Sequence, residues 1–294
     1  MVKVLSIIRL IRPSQWSKNV FVFLPMFFSG QMLNASVWLA GFVAFISFSL
    51  AASAVYCLND VKDVNADRLH PKKRQRPIAS GAVAVPVAVV IMVLLAAGSQ
   101  VIPRLCLKDY AGTMMIVAAY LILNVAYCLK LKQIAIVDVF IIAVGFVLRI
   151  LAGGAATNIM VSPWLICMTF LLALFLASAK RRDDVAIMEK QGIIVRKNIV
   201  SYNSVFLNQT LGIIAAVTMM CYIMYTVSPE VMQRLGCEYV YITAVFVLGG
   251  ILRYLQLTLV ESRSGSPTKI LLRDRFVQAT VCGWVLSFLI IIYL

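Results

Sequence analysis

Residues 36–76 read SVWLAGFVAFISFSLAASAVYCLNDVKDVNADRLHPKKRQR, and the order of side chains in this stretch decides the fold. Residues 36–58 carry no charged group and are long enough for an α-helix to cross a bilayer, which takes roughly 20 mostly apolar residues. The run then changes character at once. Asp60, Asp63 and Asp67 follow, and behind them come Arg68, Lys72, Lys73, Arg74 and Arg76. A membrane-spanning helix that ends in carboxylates and then in a basic segment describes an integral membrane protein with polar chemistry at one end.

Working outward, the same alternation fills the chain. Of its 294 residues 62% are apolar and 13% charged, whereas soluble domains run nearer half apolar and a quarter charged; the mean hydropathy is +0.93. Nine apolar stretches are predicted as spans, at about 17–30, 36–58, 83–103, 111–129, 134–153, 162–180, 204–227, 239–258 and 276–294. The first is short and carries Pro25. The fold expected is an all-α transmembrane bundle forming one catalytic domain over 1–294, with 1–16 as an interfacial helix and the segments 58–82 and 180–203 as active-site loops.

The net charge of +15 would point to nucleic acid on a soluble surface, but here the cations lie in short loops, so no nucleic-acid partner is expected. Of the 27 Lys and Arg, only Arg104, Lys108, Arg149 and Arg234 fall outside the segments 1–19, 58–82, 130–132, 180–203 and 253–275. Cytoplasmic flanks retain positive charge. The N-terminus and these loops are therefore placed in the cytoplasm, and the protein in the cell inner (plasma) membrane as a multi-pass protein. The seven scattered cysteines show no CxxC spacing and His70 is the only histidine, which excludes a zinc site and argues against a disulfide framework.

On one continuous helix, offsets of 0, 3 and 7 would bring Asp60, Asp63 and Asp67 to a common stripe. Carboxylates this close to hydrocarbon repel one another and are kept where a cation neutralises them. Mg²⁺ suits such a place, since it takes oxygen ligands from one or two carboxylates and from substrate phosphates; the alternative is a solvated helix end. Arg68, Lys73 and Arg76 beside the acids add the donors that phosphate oxygens need. The expected metal ligands are Asn59, Asp60, Asp63 and Asp67.

At these residues, NDVKDVNADRLHPKKRQRPIASG resembles the first signature, NDxxDxxxD, of the UbiA prenyltransferase superfamily. The resemblance implies a nine-helix bundle that binds a diphosphate through Mg²⁺. Many members carry a second DxxxD after the sixth span, whereas this chain reads SAKRRDDVAIME over 178–189, and the residue four past Asp184 is Met188. KRRDDV, with Arg196, Lys197 and Tyr202, is similar to the decaprenyl-phosphate phosphoribosyltransferase branch of that superfamily. So are RPSQWSKN at 12–19, YCLKLK at 127–132, GFVLR at 145–149 and LLRDR at 271–275. This likeness implies that Lys18, Asn19, Tyr127, Lys130, Lys180 and Arg181 meet substrate, and that Asp184 works beside Asp60, Asp63 and Asp67 in catalysis.

Asp138 and Arg149 both lie in the span 134–153, where an offset of 11 sets them about 20° apart on a helix. Charged groups inside a span mark a cavity or an interhelical bond, and both are expected on the cavity wall as substrate-binding residues. The function implied is Mg²⁺-dependent transfer of 5-phosphoribosyl from phosphoribosyl diphosphate to a polyprenyl phosphate. Two rivals are a prenyltransferase acting on an aromatic acceptor, which the missing second DxxxD disfavours, and a lipid-phosphate transporter, which the scarcity of charge on the outer side disfavours.

Overall fold

A computed structural model describes residues 2–69, 73–192, 197–261 and 267–293. Within them the regular elements are all helical: α1 (Val2–Ile11), α2 (Leu24–Phe28), α3 (Ala35–Lys62), α4 (Val64–Leu69), α5 (Val85–Cys106), α6 (Tyr110–Leu129), α7 (Val137–Thr157), α8 (Pro163–Gln191), α9 (Ser204–Thr226), α10 (Pro229–Leu235), α11 (Ala244–Leu259), α12 (Pro267–Arg273) and α13 (Arg275–Tyr293). Eight helices are long and apolar enough to cross a membrane, namely α3, α5, α6, α7, α8, α9, the segment Glu238–Leu259 that ends in α11, and α13. Their boundaries follow local chemistry. Asn34, Ser162 and Asn203 cap α3, α8 and α9 by accepting backbone N–H groups of Ser36, Leu165 and Phe206, which removes an orphan donor at each helix start. Gly192 closes α8 at φ +67, a left-handed conformation that glycine adopts without steric cost.

The chain folds into two compact units, Met1–Leu131 with Gly145–Val161, and Lys132–Val144 with Ser162–Leu294. In the first, α3 supplies half of the buried core cluster. Ala44, Phe48, Ala51, Ala52 and Val55 pack with Val22, Val117, Tyr120, Cys128 and Ala152. Lipid tails are as apolar as leucine, so burial alone does not hold helices together in a bilayer; small residues do so by letting backbones approach. The alanines of α3 serve this purpose, while Leu94 on α5 and Ile122 on α6 stay exposed as the surface offered to lipid.

The expected span 17–30 is the one place where the count of long helices differs. Pro13–Phe23 forms a 3₁₀ helix that runs on into α2. A polar stripe on α3 binds this segment. Asn19 Nδ2 donates to Ser49 Oγ at 2.9 Å, Trp16 Nε1 donates to Ser53 Oγ at 3.0 Å, and Ser53 Oγ donates to the Ile11 carbonyl at 2.8 Å. Ser49, Ser53 and Asp60 are offset by 4 and 11 residues and so share a face. On the other side, a Cβ at Gly153 would lie 1.9 Å from the Val22 carbonyl oxygen, so α7 admits the segment only because residue 153 is glycine. Eleven residues in 3₁₀ geometry rise about 22 Å, so the segment reaches farther than an α-helix of equal length.

In the second unit, α8, α9, α11 and α13 pack around Phe175, Leu207, Leu211 and Tyr254, with the Phe175 and Tyr254 rings 5.5 Å apart edge to face. A buried hydroxyl chain ties three of its segments. Trp284 Nε1 donates to Tyr222 Oη at 2.7 Å, and Tyr222 Oη lies 2.6 Å from Thr243 Oγ1. These groups find partners inside the protein because none is available in hydrocarbon.

Candidate active site

α3 ends at Lys62, Asp63 occupies the C-cap, and α4 starts at Val64. The break corrects the expectation of one acidic stripe. Asp60 and Asp67 are buried, 1% and 3% exposed, while Asp63 sits half-buried at the turn between the helices. What joins the two buried acids is Arg76, whose Nη1 donates to Asp60 Oδ1 at 3.1 Å and to Asp67 Oδ2 at 2.6 Å. Asp60 also receives Arg12, with Nη2 2.5 and 2.8 Å from its two oxygens. Arg12 stacks over Tyr56 at 5.0 Å and holds φ +52, an uncommon conformation outside glycine that gathers at functional sites.

Among the described residues no three His, Cys, Asp or Glu side chains are grouped closely enough for a metal ion. The donor set nevertheless fits the expected one. A guanidinium nitrogen already rests between an oxygen of Asp60 and one of Asp67, and two hard carboxylates with substrate phosphate are what Mg²⁺ ordinarily takes. Asn59 lies one residue before Asp60, its Oδ1 3.9 Å from Cys128 Sγ.

The remaining expected contacts of this unit lie at varied depths. Lys18 and Lys73 are half-buried, Arg68 and Lys130 are exposed, and Tyr127 packs against the α3 core. Asn19 is fully buried and accepts Arg149 Nε at 2.8 Å through Oδ1. Arg149 also donates Nη1 to the Gly145 carbonyl at 2.6 Å, and its guanidinium lies 4.8, 5.2 and 5.1 Å from the rings of Phe48, Tyr120 and Phe146. Among the described residues no carboxylate reaches it. Ring quadrupoles and two oxygen dipoles neutralise the charge instead. His70, Pro71, Lys72 and Arg196 of the expected motifs lie outside the described residues.

In the second unit Arg181, 1% exposed, is held by two acids. Its Nε donates to Asp138 Oδ2 at 2.5 Å and its Nη1 to Asp184 Oδ2 at 2.9 Å. Tyr202 Oη donates to the other Asp138 oxygen at 3.1 Å and accepts the Ile136 N–H at 2.6 Å. Ile136 stands at φ +68, with the Val137 N–H bonded to the Ala135 carbonyl at 2.8 Å; this tight turn is strained for a β-branched residue. Burial pushes the Tyr202 phenol up to about 12, with the Asp138 carboxylate adding to the rise. Asp138 and Arg149 therefore do not act as a pair, although α7 carries both. Arg181, expected at substrate, is enclosed by carboxylates, and its neighbour Lys180 is the exposed cation.

Two participants escaped the sequence reading. Arg12 opens the RPSQWSKN stretch but carries no expected role there, and only the structure sets its side chain on Asp60. The serines of α3 read as tolerated small residues, and only their spacing from Asp60 hints at a polar face.

Among the described residues the fold is that of a polytopic helical membrane protein, with two buried acids bridged by Arg76 beside the end of α3. The chain belongs to the UbiA prenyltransferase family, whose pattern matches residues 19–277. It is 33% identical, over 95% of its length and 90% of the relative's, to a decaprenyl-phosphate phosphoribosyltransferase of Mycolicibacterium smegmatis. It is 35% identical, over 96% of its length and 92% of the relative's, to the protein of that name in Mycobacterium tuberculosis. The fold matches a UbiA homologue of Archaeoglobus fulgidus solved with GPP and Mg²⁺, with a TM-score of 0.72 and 18% identity over 98% of this chain and 100% of that one.

Proposed function

We propose that this protein transfers 5-phosphoribosyl from phosphoribosyl diphosphate to a polyprenyl phosphate, giving polyprenyl-phosphoryl-5-phosphoribose and diphosphate. The observation that carries this reading is the 33–35% identity, over nearly the whole chain, to transferases of that name. A lipid phosphate oxygen attacks the anomeric carbon, and the bond from that carbon to the diphosphate oxygen breaks. The nucleophile is already an anion, so no general base is required. What the protein supplies is alignment and compensation of negative charge. When bound, Mg²⁺ supplies Lewis-acid stabilisation of the leaving diphosphate, and Asp60 and Asp67, with Asn59 and Asp63 beside them, are the residues to hold it.

Arg12 and Arg76 pair with carboxylates beside the proposed metal ligands, and are the cations to receive phosphate oxygens. Lys18, Arg68, Lys73 and Lys130 add charge for the two phosphorylated substrates, Lys180 on α8 meets donor phosphate, and Asp184 assists with ribose hydroxyls or Mg²⁺. Arg181, expected at substrate, also holds Asp184 in place through its Nη1. The distribution of Lys and Arg supports a cytoplasmic N-terminus and active-site loops, in the cell inner membrane.

The test is purified protein with polyprenyl phosphate, labelled phosphoribosyl diphosphate and Mg²⁺, scored for label in the organic phase. EDTA should abolish the transfer and added Mg²⁺ restore it. Transfer of a prenyl chain from prenyl diphosphate to an aromatic acid, with phosphoribosyl diphosphate ignored, would overturn the assignment of donor.

A further inference from the structure

Cys167 lies in the second turn of α8 and Cys221 in the second-last turn of α9, both near the helix ends remote from the connection 192–203. Their Sγ atoms are 4.0 Å apart. Cys167 is exposed and Cys221 partly buried. One turn nearer those ends, the rings of Trp164 and Tyr225 pack edge to face with centroids 6.3 Å apart, and paired aromatic side chains at helix ends mark the membrane–water interface. The thiols thus lie within about one turn of a Trp–Tyr pair, residue types enriched where a bilayer meets water. Nothing in the cysteine spacing foretold the contact, because residues 167 and 221 belong to different spans.

We propose that Cys167 and Cys221 form a reversible disulfide that staples α8 to α9. A disulfide requires the sulfurs to close to about 2.05 Å, a movement of some 2 Å that calls for rotation about the Cα–Cβ bonds of the exposed Cys167 and the partly buried Cys221. The oxidant is a small or protein-borne disulfide. The Cys167 thiolate, the more accessible, attacks one of its sulfurs to form a mixed disulfide and releases one thiol. The Cys221 thiolate then displaces the second sulfur, so two protons leave the cysteines and two electrons pass to the oxidant, whose two sulfurs end as thiols. The bond closes a loop containing most of α8, the connection and most of α9, and so restricts the unfolded chain. Arg181 and Asp184 ride on the stapled hairpin. The inference is independent of the transfer reaction proposed above.

The experiment treats the full-length protein in detergent with diamide, alkylates the remaining thiols and identifies peptides by mass spectrometry. A Cys167–Cys221 cross-linked peptide should appear, vanish with dithiothreitol, and be absent from Cys167→Ser and Cys221→Ser. The oxidised wild type should also melt several degrees above the reduced protein, with neither serine variant responding. Recovery of both residues alkylated after oxidation, or their linkage only between two copies of the chain, would overturn the proposal. Should a serine variant fail to purify as a folded species, the reduced and oxidised wild type alone decide the matter.

Discussion

Arg12 Nη2 donates to both carboxylate oxygens of Asp60, at 2.5 and 2.8 Å, while Arg76 Nη1 reaches the same carboxylate at 3.1 Å and Asp67 at 2.6 Å. Two arginines thus balance two buried acids. This arrangement explains how carboxylates at a hydrocarbon boundary are tolerated. On the proposed function, Mg²⁺ would take Asp60 and Asp67, and each arginine would pass from carboxylate to diphosphate oxygen.

If the arginines make that exchange, Arg12→Ala should weaken the donor and favour the metal. The KM for phosphoribosyl diphosphate should rise roughly 10- to 100-fold, the scale of one hydrogen bond to a charged group at about 1.5–3 kcal/mol. Mn²⁺ binding followed by electron paramagnetic resonance should tighten, because a competitor for Asp60 is gone. An unchanged KM, with unchanged Mn²⁺ affinity, would make Arg12 a tether of the first segment only.

Replacing Asp60 or Asp63 by Asn should lower kcat at least about 100-fold, close to 3 kcal/mol in the barrier. Both proteins should still elute as folded species in detergent, since Asn nearly preserves shape. Near-normal turnover in both would remove the acids from the metal site.

Arg149→Leu should strip Asn19 Oδ1 of its donor and leave a buried acceptor unpaired, at a cost of about 1–3 kcal/mol. The readout is hydrogen exchange across residues 13–23, which should accelerate before the rest of the protein does. Arg149→Lys should rescue little, because an ammonium cannot present the same fork to Asn19 and Gly145 while lying flat on the rings. Full rescue by Lys would mean that only the charge matters.

Tyr202 contributes a pH dependence with a definite sign. Its phenol is raised to about 12 in the folded state, against roughly 10 in an unfolded chain. The folded state therefore favours the neutral form. The associated stability is fully present below pH 10 and is lost as pH climbs from about 10 to 12. Alkaline unfolding of Tyr202→Phe should lack this component, and at neutral pH the variant should lose about 1–3 kcal/mol through the orphaned Ile136 N–H and Asp138 oxygen. Identical alkaline profiles would show that Tyr202 is not buried with Asp138.

The sequence by itself determined that the chain is an all-helical membrane protein, where eight of its long helices run, and where the acids and cations collect. Hydrophobic length and charge placement are local properties, written wherever roughly 20 residues meet the thickness of a bilayer. The family was legible too, since NDxxDxxxD and its basic neighbours are contiguous. Only the tertiary structure decided how the charges are apportioned. The offset of 11 between Asp138 and Arg149 says they share a helix face, yet Asp138 meets Arg181 and Tyr202 whereas Arg149 is caged by Asn19 and three rings. Partners 43, 64 and 130 residues away leave no mark on local periodicity. The 3₁₀ form of Pro13–Phe23 was hidden for the same reason, because it rests on Ser49, Ser53 and the absent side chain of Gly153, groups that reach it only when distant segments pack.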